Sequence, residues 1–264
     1  MRIAVITGAS SGMGREYALL ADQSRYYDEI WAIARRQDRL EALAQECTTP
    51  FRCIALDLTQ REACCALQQE FAQAAAVEKE KGSDFSIAYL VNAAGFGKFG
   101  TYSDLSQREV DDMIDLNCRT LVDLTQAAIP FMTHGSRILE FASSAAFQPL
   151  PGLAVYAASK SFVLSYTRAL RWELVSRGIH VTAVCPIWIK TEFIKVARDT
   201  ENGKTVKHPW PQLSPKLVAR WSNFVNKVNY PVATCSIFAF LMRIAGKIIP
   251  APIIMGIWEG LRRI

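Results

Sequence analysis

Apolar residues along this chain fall into two alternating patterns. Arg2–Ile6, Ile30–Ile33, Phe51–Leu56, Ile87–Val91, Arg137–Ala142 and Ile179–Cys185 are short, nearly continuous apolar runs, which suit parallel strands buried on both faces. Between them stand segments of helical spacing: one through Tyr17, Leu19 and Leu20, then Asp38–Cys47, Gln60–Lys81 (rich in Ala, Gln and Glu) and Val110–Thr125. Strand followed by helix, repeated, is the pattern of βαβ units and an α/β domain. No repeat, low-complexity segment or linker interrupts it, so a single domain over residues 1–264 is expected.

The junctions between runs carry the chemistry. The first run meets Thr7-Gly8-Ala9-Ser10-Ser11-Gly12-Met13-Gly14 and then a helix. Glycines there permit a tight turn and let backbone N–H groups approach a pyrophosphate. The spacing is GxxxGxG rather than the commoner GxGxxG. After the second run, where an NAD-binding unit would place an acid for the ribose 2′-hydroxyl, stand Ala34, Arg35 and Arg36. Guanidinium groups bind a 2′-phosphate that a carboxylate would repel, so NADP(H) is favoured over NAD(H); the alternative is two solvated charges ahead of a helix. The fourth run ends at Asn92-Ala93-Ala94-Gly95, small residues that let a ligand lie against the backbone, with Asn92 serving either the ligand or the turn. Asn117 sits inside a helical pattern, where asparagine competes with backbone hydrogen bonding. Tyr156 and Lys160 are four apart with small residues between them, which places both on one helix face. An ammonium beside a phenol lowers its pKa toward a useful general acid/base range.

Half of the residues are hydrophobic, enough for a sizeable core. The seven cysteines form no CxxC pair and no Cys/His ligand spacing, so neither a metal site nor a disulfide framework is indicated. The net charge of +5 is uneven: residues 1–189 hold 18 Lys/Arg against 21 Asp/Glu, and the excess lies wholly beyond them. A basic tail without a recognition motif argues against nucleic-acid binding. Met1-Arg2 leads straight into the first strand, and uninterrupted apolar runs stay short of a membrane span. A cytoplasmic protein is the expectation.

Taken in order, Thr7-Gly8-x-x-x-Gly12-x-Gly14, Asp57-Leu58, Asn92-Ala93-Ala94-Gly95, Asn117, Ser143, Tyr156-x-x-x-Lys160, and Pro186 with Thr191 resemble the short-chain dehydrogenase/reductase family. The resemblance implies a doubly wound, Rossmann-like sheet of about seven parallel strands, with helices on both faces and the cofactor across the strands' carboxyl ends. It implies cofactor contacts from Gly8, Ser10, Ser11, Gly12, Met13, Gly14, Arg35, Arg36, Asp57, Leu58, Asn92, Ala93, Gly95, Pro186 and Thr191. Tyr156 would be the proton donor or acceptor. Lys160 would lower its pKa and hold the nicotinamide ribose, Ser143 would bind the substrate oxygen, and Asn117 would support a water-linked proton path. Ser143 fits the family interval to Tyr156, although Ser144 is adjacent. Pro186-Ile187 stands where the family often has Pro-Gly, and Ala93 where it often has a second asparagine. The function implied is NADP(H)-dependent interconversion of a carbonyl and a secondary alcohol on a hydrophobic small molecule, by a homodimer or homotetramer. A nucleotide-binding regulatory or scaffold protein without turnover is the alternative.

Beyond Thr191 the pattern weakens. Residues 192–213 hold turn and breaker signals, Asn202-Gly203 and His208-Pro209-Trp210-Pro211, and by the resemblance form a substrate lid. Ser214-Pro215 opens a helix running towards Phe224. Residues 236–264 contain two apolar runs separated by Pro250-Ala251-Pro252. A packed helical extension that walls the pocket or meets another subunit is expected. Peripheral membrane contact is the alternative, because Trp258 and Leu261 adjoin Arg262 and Arg263. The cations of 190–227, among them Lys204 and Lys207, form either a solvated surface or a field that attracts an anionic substrate.

Overall fold

A computed structural model of the chain describes residues 1–200, 206 and 209–263. Lys204, Lys207, His208 and the Asn202-Gly203 turn lie outside the described residues. Seven parallel strands, β1 (Arg2–Thr7), β2 (Glu29–Ala34), β3 (Phe51–Ala55), β4 (Ser86–Asn92), β5 (Arg137–Phe141), β6 (His180–Val184) and β7 (Val232–Ala233), form one sheet in the order β3-β2-β1-β4-β5-β6-β7. Chain order reverses between β1 and β4, and such a switch opens a crevice at the strands' carboxyl ends.

The continuous apolar runs follow from burial on both faces. In β1, Ala4 and Ile6 join a core with Tyr17, Ala18 and Leu40, while Ile3 and Val5 join another with Leu67, Phe71 and Leu124. Helices α1 (Gly12–Ser24) and α2 (Gln37–Glu46) cover the first side; α3 (Glu62–Glu80), α5 (Thr120–Ala128) and α6 (Ala154–Glu173) cover the second. The period-two pleat thus sends alternate residues into separate cores.

Three differences from the sequence reading have physical causes. Val110–Thr125 is not one regular helix: α4 (Gln107–Ile114) passes through a π-helical turn at Asp115–Arg119 into α5. Ser106 closes a capping box with Glu109 at the start of α4. Residues 192–213 are more than turns, for they contain α7 (Phe193–Arg198). This excursion is closed at its base, where the Leu213 N–H donates to the Trp188 carbonyl at 2.8 Å and the Lys190 N–H to the Leu213 carbonyl at 3.0 Å. Finally, β7 has two residues, too few to leave a hydrophobic pattern.

The chain ends in α8 (Pro215–Lys227), α9 (Ile237–Ile248) and α10 (Ala251–Arg263). Pro215 occupies the first turn of α8, and the Ser236 hydroxyl caps α9 by accepting from the Ala239 N–H at 3.1 Å. Among the described residues no helix is long and apolar enough to cross a membrane.

Candidate active site

A cleft of about 1220 Å³ runs along the carboxyl ends of the strands. Of the residues singled out in the sequence, Gly8, Ser10, Ser11, Gly12, Met13, Gly14, Arg35, Arg36, Asp57, Leu58, Ala93, Gly95, Ser143, Tyr156, Lys160, Pro186 and Thr191 line it. Asn92 and Asn117 do not; they stand behind its wall.

At the β1–α1 turn the backbone is crowded. Gly8 has φ +68°, and a Cβ there would meet the Ala94 nitrogen at 3.0 Å. A Cβ on Gly14 would approach the Gly8 carbonyl carbon and oxygen to 2.4 Å. Each glycine is therefore required by space or by conformation. The Thr7 hydroxyl ties the turn to its neighbour by accepting from the Ala94 N–H at 3.0 Å. Among the described residues no side chain caps α1 and its first turn holds no acid, and Gly12, Met13 and Gly14 of that turn line the cleft. The crowding at Gly8 and Gly14 holds the turn tight, and the uncapped start of α1 beside it is the kind of place that holds a pyrophosphate.

The two arginines part company. Arg35 is exposed. Arg36 donates to the Ser10 hydroxyl at 3.1 Å and the Ser11 hydroxyl at 2.8 Å, so its guanidinium is held over the turn. Its other nitrogen pairs with Glu192 at 2.9 Å, and Arg39 reaches the second oxygen of the same carboxylate at 2.7 Å. Arg39 first and Arg36 second hold the Glu192 carboxyl down at about 2. Nothing local in the sequence announces Glu192, which is 156 residues from Arg36.

At the other end of the turn, α6 delivers Tyr156 and Lys160 together, both nearly buried. Burial pushes the Tyr156 phenol up to about 12, with the neighbouring Ser143 hydroxyl pulling the other way. That influence on the phenol distinguishes Ser143 from Ser144, whose backbone N–H donates to the Pro186 carbonyl at 2.8 Å. Burial pulls Lys160 down to about 8. Its ammonium donates to the Phe141 carbonyl at 2.7 Å and lies 5.9 Å from the centre of the Tyr156 ring. Desolvation thus sets the direction of the phenol's shift, upward where the sequence pointed to a lowering by Lys160, whose ammonium is turned to the Phe141 carbonyl.

Asn117 is fully buried in the π turn. It donates to the Phe96 carbonyl at 2.8 Å and accepts the Phe96 N–H at 3.1 Å. A Cβ on Gly95 would stand 2.8 Å from Asn117 Oδ1 and 3.3 Å from Lys160 Nζ, so Gly95 keeps open the gap between those groups. Gly97, which the sequence reading missed, plays a similar part for the phenol, since its Cβ would come within 2.7 Å of Tyr156 Cδ2. Asn92 is placed for structure. Its amide donates to the Thr125 hydroxyl at 2.8 Å and to the two oxygens of Glu140 at 3.2 and 3.1 Å. Glu140 is fully buried on β5, and desolvation raises its carboxyl to about 8 against the pull of Thr125 and Asn92. Among the described residues no cluster of His, Cys, Asp and Glu is arranged to hold a metal.

Comparison with known proteins agrees with this geometry. Residues 2–202 match the family model described as short chain dehydrogenase. Sulfoacetaldehyde reductase 2 of Chromohalobacter salexigens is 34% identical over 201 residues, covering 74% of this chain and 75% of that protein. A short-chain dehydrogenase from Sphingobium yanoikuyae, solved with NADPH, superposes with a TM-score of 0.77 at 25% identity, over 94% of this chain and 93% of its own. A short chain dehydrogenase/reductase from Burkholderia phymatum, solved with NAD, gives a TM-score of 0.79 at 19% identity over 93% of each chain, a likeness of fold alone. An oxidoreductase of the alcohol–carbonyl type using a nicotinamide cofactor is the common denominator. The chain belongs to the short-chain dehydrogenase/reductase family.

Proposed function

We propose that the protein is an NADP(H)-dependent reductase of lipophilic ketones or aldehydes, with the reverse oxidation available at high pH. The observation that carries this reading is the meeting, in one cleft, of the Tyr156 phenol and Ser143 hydroxyl at one end with the Arg36–Ser10–Ser11 cluster at the other. When bound, the cofactor supplies the hydride. Everything else is the work of this chain's side chains. Ser143 hydrogen-bonds the substrate oxygen and orients it toward the phenol. Tyr156, protonated at neutral pH as any phenol is and held so further into the alkaline range by its burial, donates the proton that converts the incipient alkoxide to the alcohol. Lys160, fixed by the Phe141 carbonyl, presents its remaining protons to the cleft. Asn117 holds the Phe96 backbone and so the strand-end wall against which Lys160 lies.

Arg36 is the proposed 2′-phosphate ligand, already oriented by two hydroxyls, with Arg35 contributing charge from the rim. The substrate end is walled by Leu150, Leu153, Trp188, Val206, Met242 and Trp258. Such a wall favours an apolar body over the small anionic aldehyde in the name of the Chromohalobacter relative. The test is consumption of NADPH and of NADH with methyl ketones of rising chain length. Rising kcat/KM with length and a preference for NADPH are expected. Consumption of neither cofactor with any carbonyl would favour the scaffold reading.

A further inference from the structure

Helix α9 is packed inside out. Its small residues face the protein: Ala239 is fully buried, and a Cβ on Gly246 would come within 2.4 Å of the Phe147 carbonyl oxygen. Its bulky residues face water. Ile237 is 80% exposed, Leu241 56% and Ile248 75%, and Ile244 completes the stripe at helical spacing. Helix α10 continues the surface with Ile253, Ile257 and Leu261, all exposed and four residues apart. A solvated helix carries the reverse arrangement, and an apolar face of this extent marks a contact surface.

Charge identifies what the surface meets. Residues 228–264 carry Arg243, Lys247, Arg262 and Arg263 against the single acid Glu259, which is paired with Arg262. Lys247, exposed beside the α9 stripe, can lay its stem along the apolar side chains while its head stays wet, and Arg243 stands half-buried one turn before it. A second copy bound through the same face would set like charges against each other, because a twofold contact opposes a patch to itself. An anionic lipid surface complements it. At 12 residues α9 is too short to span a bilayer but long enough to lie along one.

We propose that the α9–α10 face docks on the anionic surface of a bilayer and that the active-site cleft opens into that contact. Ile249, Ile257 and Leu261 belong to both: each lines the cleft and each is exposed. The apolar wall of the cleft thus runs without interruption into the lipid-facing stripe, and a lipophilic carbonyl passes between them without crossing water. Docking stands on the exposed face alone; the passage of substrate rests on the function proposed above.

The test is flotation of the full chain with vesicles of phosphatidylcholine, alone or mixed with phosphatidylserine. Binding to the mixed vesicles is expected, weakened by salt. Replacing Ile237, Leu241 and Ile248 together by Asn lowers partitioning by about 100-fold or more. Replacing Arg243 and Lys247 by Gln removes about fivefold per cation of the phosphatidylserine-dependent gain. NADPH turnover of a short, water-soluble ketone stays at wild-type level in the triple variant, which shows its fold intact, while its turnover of a long-chain ketone dissolved in vesicles falls. Docking is overturned if the wild-type chain floats with neither vesicle, if the triple variant floats like it, or if light scattering shows a wild-type dimer that the triple variant dissolves. Vesicle binding that is lost in the triple variant, without turnover of any carbonyl, supports docking and refutes the proposed function instead.

Discussion

The two ends of the cleft are built from opposite materials. The nucleotide end is backbone, glycine and short polar side chains, and its groups are tied to one another: Thr7 to Ala94, Arg36 to Ser10 and Ser11, Lys160 to Phe141. The substrate end is mainly bulky side chains, among them Trp188, Phe193, Val206, Met242 and Trp258, packed largely through apolar surface, with the Trp258 indole donating to the Pro151 carbonyl at 2.8 Å. A cofactor that never varies can be met by atoms that cannot move, and Gly14 cannot even be enlarged. A wall of interchangeable hydrophobes tolerates change of shape while total volume is kept. Substitutions at the first end are therefore expected to act on chemistry and cofactor affinity. Those at the second act on substrate choice and location.

The largest effect expected is at the proton donor. Tyr156→Phe keeps the ring against Phe193, 5.5 Å away, and removes only the hydroxyl. kcat should fall about 10²–10⁴-fold with NADPH affinity retained, read by steady-state turnover and by cofactor fluorescence titration. A variant that turns over normally would place the proton elsewhere and erase the distinction between the two ends.

Next is Arg36→Ala. Loss of a charged hydrogen bond costs roughly 1.5–3 kcal/mol, about ten- to a hundredfold in NADPH affinity, with NADH affected much less. Equal losses for both cofactors would mean that Arg36 only holds the turn through Ser10 and Ser11. Arg35→Ala separates the two arginines, and a smaller loss is expected from the exposed one.

Beneath the nucleotide end, Glu140 links β4, β5 and α5 through Asn92 and Thr125. Its carboxyl rises from the ordinary 4.5 to about 8 in the folded protein. The folded state keeps this proton where the unfolded chain has lost it, so the contribution of Glu140 to stability falls as pH rises from about 4.5 to about 8 and then levels. Per proton the slope is up to about 1.4 kcal/mol per pH unit. Denaturant titrations across that range should show the slope in the wild-type chain and its loss in Glu140→Gln. An unchanged slope would assign the pH dependence to other groups.

Much of the nucleotide end was legible because its signals are local. Apolar runs marked β1 to β6, glycines marked the turn after β1, and a four-residue interval placed Tyr156 beside Lys160. What escaped depends on burial or on distance along the chain. The phenol's pKa moves upward, opposite to the reading from its neighbour, because sequence shows Lys160 but not desolvation. The π turn at Asn117 is fixed by Phe96, outside the helix it interrupts. Glu140 sits in a run that reads as a plain apolar strand. The outward stripe of α9 was unreadable for a related reason: periodicity shows that a face is apolar, and only the fold shows which face is inside.

Glu192 is where the two ends touch, and it gives the smallest effect and the finest test of their separation. It begins the excursion after Thr191, yet its carboxylate occupies Arg36 and Arg39 beside the proposed 2′-phosphate position. A phosphate and this carboxylate compete for one guanidinium, so Glu192 should weaken NADPH binding while leaving NADH alone. Its side chain is 47% exposed, and pairs of that kind contribute about 0.2–1 kcal/mol, which converts to at most about fivefold. Glu192→Gln should accordingly tighten NADPH by about two- to fivefold at low salt, with no change for NADH. The gain should shrink as salt screens the wild-type pair. Since Arg39 and Arg36 hold the carboxyl near 2, the advantage of the variant should be constant from pH 5 upward. Weaker NADPH binding in Glu192→Gln would reverse the assignment and make Glu192 a brace that orients Arg36 for the phosphate.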